Sequence, residues 1–85
     1  VVVATRHDTH ASYAAEALRA GKPVYVEKPL ALNDAELDAV TQALAQGSNS
    51  SVMVGFNRRF APAADAVRKH FNGVASRLQI AMRVN

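Results

Sequence analysis

An acid, a base and a proline stand together at Glu27-Lys28-Pro29, directly behind the apolar run Val24-Tyr25-Val26. β-branched and aromatic residues of that kind suit a buried strand. Proline then blocks further ladder pairing. A strand ending this way sets two opposite charges at the carboxyl edge of a sheet, where open α/β folds bind ligands. Proline can also hold its peptide bond cis and so fix the direction of the residue before it. The Lys28–Pro29 bond is therefore expected to be cis. Taken alone, the tripeptide equally fits a surface ion pair ahead of a turn. Two more polar clusters at equivalent places tip the balance: Thr5-Arg6-His7-Asp8 with His10, and Gly55-Phe56-Asn57-Arg58-Arg59-Phe60.

The elements that must position these clusters alternate along the chain. Val1 to Ala4 reads as a buried strand. Asp8 or Thr9 can cap a helix through about Ala20, with Tyr13, Ala14, Ala17 and Leu18 on its inner face and Gly21 as its stop. Val24 to Glu27 is the second strand. Asn33 followed by Glu36 resembles a capping box, opening a helix that buries Leu37, Val40 and Leu44 and ends near Gln46-Gly47. Val52-Met53-Val54 is a third buried strand. Pro62 suits the first turn of a third helix, on which Phe60, Ala64, Val67 and Phe71 recur at helical spacing before Gly73. From Arg77 to Val84 polar and apolar residues alternate, as in a half-exposed strand.

This order is half of a doubly wound parallel sheet, β-α-β-α-β-α, followed by the first strand of a separate α+β domain. The boundary between the two is expected near residue 73, with residues 1–72 forming the parallel unit and 73–85 carrying the alternating run. In a parallel unit all strands share one carboxyl rim. The three polar clusters each follow a strand, so they fall on that rim. The opposite rim carries Gly21-Lys22-Pro23 and the Ser48-to-Ser51 loop, which read as connectors.

Composition narrows the function classes. Eighty-five residues with 49% hydrophobic and 20% charged side chains are ordinary for a small globular domain. A chain of this size buries only about 60% of its unfolded surface. No apolar run reaches the ~18 residues of a membrane span. Zero cysteines exclude a disulfide framework and a thiol nucleophile, which fits a cytoplasmic setting. The net charge of +3 invites a nucleic-acid partner. The basic residues are scattered, however, and no aromatic residues interleave them as base stacking requires. His7, Asp8 and His10 lack a third strong ligand nearby, so no metal site is assigned. Phe56 and Phe60 read as packing residues, and Met53 and Met82 as core fillers.

Three motifs in order resemble the nicotinamide-dependent oxidoreductases of the glucose–fructose oxidoreductase and inositol dehydrogenase type (Gfo/Idh/MocA). They are Ala4-Thr5 with His10; Ala20-Gly21-Lys22-x-Val24-x-Val26-Glu27-Lys28-Pro29-Leu30-Ala31; and Val54-Gly55-Phe56-Asn57-Arg58-Arg59-Phe60. The stretch Thr5 to His10 and the ending Met82-Arg83-Val84-Asn85 look like a subgroup in which this module follows a zinc-alcohol-dehydrogenase-like one. The resemblance implies a catalytic lysine at Lys28, with Glu27 orienting it beside the nicotinamide. It implies cofactor contacts, to NAD or NADP, from Thr5, His10, Glu27, Lys28, Pro29, Asn57 and Arg58. Hydride transfer would then run between the cofactor and a hydroxyl or carbonyl substrate such as a sugar or cyclitol.

The chain departs from the family in two places. Arg6 and His7 stand where proline and asparagine are common. The four glycines, Gly21, Gly47, Gly55 and Gly73, are too dispersed to form G-x-G-x-x-G. The resemblance places that phosphate-binding turn before Val1, and an acid–histidine pair after Asn85. The chain thus resembles an internal fragment, with residues 1–72 the second half of a dinucleotide-binding domain and 73–85 the first strand of a truncated substrate domain, inactive alone and prone to homo-oligomerise through its exposed sheet edges. The alternative is a small α/β binding or regulatory module without chemistry.

Overall fold

The computed structural model describes residues 1–48 and 51–83. Three parallel strands lie side by side in chain order: β1 (Val2–Val3), β2 (Val24–Glu27) and β3 (Val52–Gly55). Valines dominate all three, as β-branched residues do in sheets. The register sets Val3 beside Val26 and Val26 beside Val54, while Glu27 stands level with Gly55. Two helices connect the strands, α1 (His10–Arg19) and α2 (Asp34–Gln46), and α3 (Pro62–His70) follows β3. Short 3-10 turns at His7–Thr9 and Asn57–Phe60 precede α1 and α3.

Period two in the strands sends Val3, Val24 and Val26 to one face, where they meet Ala11, Ala14, Ala15 and Leu18 of α1 and Val40 and Ala43 of α2. Among the described residues this is the buried hydrophobic core. The other face carries Val2, Tyr25 and Met53 and stays open, with Met53 67% exposed. The inner stripe of α1 is therefore His10, Ala11, Ala14, Ala15 and Leu18. Tyr13, expected inside, is half exposed, and Leu37 of α2 likewise yields its place to Ala43. Small residues win because alanines let the two helices sit close to each other and to the sheet.

The helix ends follow local chemistry. Asn33 accepts the Glu36 N–H at 2.9 Å, and Glu36 in turn accepts from the Asn33 amide and from the Leu32 N–H, at 3.1 and 2.8 Å. One of the first turn's unpartnered amides, that of Glu36, and the Leu32 amide just ahead of the cap are satisfied in this way. The start of α1 differs from expectation. Thr9 occupies the N-cap, yet its hydroxyl turns back to donate to the Arg6 carbonyl at 2.8 Å, and Asp8 pairs with Arg6 instead of capping. Gly21, at φ 67°, closes α1 through the left-handed conformation that glycine tolerates.

After α3 the chain departs from expectation again. Residues 77–83 form no strand, and residues 84 and 85 of the alternating run lie outside the described residues. A period-two pattern needs a neighbouring strand to supply its hydrogen bonds, and none faces this run. Met82, expected in a core, is exposed. So are Phe56 and Phe60, expected to pack, with Phe60 80% exposed. α3 buries none of its residues, although the Phe60, Val67 and Phe71 spacing is there.

Candidate functional site

β2 ends at Glu27, and the next bond, Lys28–Pro29, is cis, as expected from the sequence. Lys28 emerges exposed at the carboxyl end of the central strand. Because Glu27 is level with Gly55, Lys28 faces the segment that leaves β3. Lys28 and that segment's Phe56, Asn57, Arg58 and Arg59 together line a cleft of ≈ 330 Å³. On the other side of Lys28, a second cleft of ≈ 460 Å³ runs along Pro29 to Asp34 and takes in Leu37, Val54 and Phe56. Lysine and arginine side chains thus gather at one mouth, which suits an anionic or electron-rich ligand.

Glu27 points away from this cleft, toward the open face of the sheet. The Tyr25 hydroxyl donates to its Oε1 at 3.1 Å. That bond, then burial, then the carboxylate charge raise the tyrosine's pKa above 10.0. Gly55 lies beneath the pair. A Cβ there would meet the Tyr25 hydroxyl at 2.5 Å and Glu27 Oε2 at 3.1 Å. With a backbone that needs no positive φ, Gly55 is required by this close approach alone.

Thr5 and His10 occupy the β1 side of the rim. The Thr5 hydroxyl bonds that of Thr9 at 2.7 Å, which shapes the loop. Thr5, Arg6, His7 and Asp8 line a third cleft with Leu32. Arg6 and His7, the two departures from the family pattern, are both exposed on this loop. His10 is 1% exposed. Its Nδ1 lies 2.7 Å from the Pro29 carbonyl oxygen and its Nε2 3.0 Å from the Thr5 carbonyl oxygen. Among the described residues no three ligating side chains come together for a metal.

The structure therefore brings Lys28, Asn57 and Arg58 around one cleft, sets Pro29 in the neighbouring one, turns Glu27 to Tyr25, and places Thr5 in the β1 loop that His10 reaches. Tyr25 was not singled out in the sequence. Its signal was the i, i+2 spacing to Glu27, which puts both side chains on one face of a strand.

A parallel α/β sheet that gathers its ionisable loops at the carboxyl rim puts a candidate ligand site there. Residues 1–56 match the model of the GFO_IDH_MocA group, described as an oxidoreductase family with an NAD-binding Rossmann fold, and the chain belongs to that family. It is 47% identical over 62 residues to inositol 2-dehydrogenase 2 of Saccharopolyspora erythraea, covering 73% of this chain and 18% of that protein. With the inositol 2-dehydrogenase of Rhizobium meliloti it shares 45% over 69 residues, 81% of this chain and 21% of the relative. Oxidoreductase P35 of Formosa agariphila is 40% identical over 62 residues, 73% and 19% respectively. The chain thus spans about a fifth of the length of these curated relatives. No solved structure gave a significant match.

Proposed function

We propose that this chain supplies the nicotinamide-side rim of a dehydrogenase that moves a hydride between NAD or NADP and a hydroxyl or carbonyl substrate. The observation that carries the proposal is Lys28, exposed at the carboxyl end of the central strand with Asn57 and Arg58 around the same cleft. The residues fit one end of a dinucleotide. Hydrogen-bonding and cationic groups line the rim, whereas no Gly-rich turn within the chain could cradle the pyrophosphate.

A nicotinamide cofactor held at this rim would supply the acceptor for the hydride of the alcohol carbon. The hydroxyl proton must leave in the same oxidation, and Lys28 in its neutral amine form takes it as the carbonyl forms. In the reverse direction the ammonium returns that proton. Glu27, held by Tyr25, orients the strand end. Thr5, Pro29, Asn57 and Arg58 contact the cofactor, and His10 supports the loops that do. Relatives named inositol 2-dehydrogenases favour a cyclitol as substrate. The run Thr5 to His10 supports the narrower subgroup with a fused zinc-alcohol-dehydrogenase-like module. The cysteine-free composition supports a cytoplasmic setting.

The test is Lys28→Met in a complete protein bearing this segment. General acid–base groups typically contribute about 10²- to 10⁴-fold, so turnover should drop by that order while cofactor affinity changes far less. Turnover within a few-fold of the wild type would rule Lys28 out and favour a non-catalytic binding module.

A further inference from the structure

Among the described residues His10 is the one buried polar side chain, and it spans the two loops that flank the cleft residues. Both of its partners are backbone carbonyls, which only accept hydrogen bonds. A neutral imidazole carries one proton and can donate to one of them, leaving the other nitrogen's lone pair turned toward an acceptor. A ring with both protons donates to both. We propose that His10 is a positioning residue, a cross-brace whose two ring nitrogens reach the Thr5 and Pro29 carbonyls and so set the direction in which Lys28 leaves β2. This rests on the reading of Lys28 as the proton-transfer residue.

The geometry makes the brace specific. Pro29 is the residue after Lys28, so a bond to its carbonyl acts on the peptide that follows the lysine. Thr5 lies at the end of β1, which pairs directly with β2. The ring is packed in place, as the first residue of α1 and almost wholly buried.

Few charges compete for it. His7 meets the ring edge-on, with centroids 5.6 Å apart. On the same loop Arg6 and Asp8 are paired with each other at 3.3 Å. From β2 the nearby charges are Glu27, taken by Tyr25, and Lys28 itself. At the near end of α2, Glu36 is taken by the Leu32 N–H and the Asn33 amide. The ring's own hydrogen-bond partners are therefore the two carbonyls.

Two substitutions separate bracing from mere core filling. The amide nitrogen of an asparagine falls where Nδ1 stands, and that of a glutamine where Nε2 stands. His10→Asn thus keeps the tie to Pro29, and His10→Gln keeps only the tie to Thr5. In the complete protein His10→Gln should lose about 10- to 100-fold in turnover, the cost of a slightly misplaced reacting group, with a smaller change in the KM for cofactor. His10→Asn should lose clearly less. Equal losses, no loss in His10→Gln, or the reverse order would overturn the brace.

A measurement on the wild type keeps the proposal open to refutation even where the variants fail to fold. In ¹⁵N,¹³C-labelled protein a ring N–H of His10 should show a coupling across the hydrogen bond to the Pro29 carbonyl carbon. Its absence would overturn the brace. If Lys28→Met proves harmless, the catalytic reading fails while the spectra still report on the brace.

Discussion

Tyr25 and Glu27 show how a single residue's chemistry reports on its neighbour. The tyrosine hydroxyl is the donor, so their bond exists only while the hydroxyl holds its proton. Its pKa is raised in the folded chain. The bond's contribution is thus fully present below 10.0 and disappears as pH climbs through the higher folded value. The chain has two tyrosines, so Tyr13→Phe leaves Tyr25 as the sole phenol absorbing in an alkaline titration. Its midpoint should lie above 10.0, and adding Glu27→Ala should bring it back toward that value; a midpoint indifferent to Glu27 would contradict the contact. The Glu-Lys-Pro cluster was readable from the sequence because strand, charge and proline are contiguous. Tyr25 was passed over as one more strand residue, since its significance lies in what Glu27 and Gly55 do beside it.

At the scale of elements, local codes and non-local packing were legible to different degrees. The Asn33–Glu36 box depends on residues three apart, and it formed as the spacing suggested. Asn33→Ala should destabilise the fold by about 1 kcal/mol, seen as a lower urea midpoint with an unchanged slope. Which side of a helix is buried is another matter. Tyr13 and Leu37 satisfy helical periodicity as well as their buried neighbours do, yet the side facing the sheet is chosen by which helix can approach most closely. Leu18, completely buried between α1 and the strands, is the opposite case. Leu18→Ala should cost about 2–5 kcal/mol in a denaturation experiment. In a domain where total stability is typically about 0.05–0.15 kcal/mol per residue, that is a large share. The run from Arg77 alternates as a strand should, but alternation describes only what a neighbour would accept.

For the whole molecule, the decisive feature is a sheet covered on one face only. β1 and β3 are both edge strands among the described residues, and neither edge carries a charge until Glu27's partner row at Gly55. Unprotected apolar edges are templates for pairing with another chain. The 85-residue chain on its own should therefore self-associate, and without a pyrophosphate cradle it should show negligible dinucleotide affinity. Light scattering combined with titration calorimetry checks both. A monomer binding NADH at micromolar concentration would mean that the three rim loops suffice by themselves. The α/β class, the parallel order and the shared rim were all deducible from element order, because parallel strands impose them. The open face was not, since nothing in a chain's own periodicity records what lies beyond it.

Gly55 carries a consequence for how this segment can change over generations. Its lack of a side chain is dictated by the hydroxyl of Tyr25 lying where a methyl would go. Substitutions at the two positions are therefore not interchangeable in order. An alanine arriving at 55 first obliges the Tyr25 hydroxyl to swing aside and weakens its contact with Glu27, whereas one arriving after position 25 has shortened finds room.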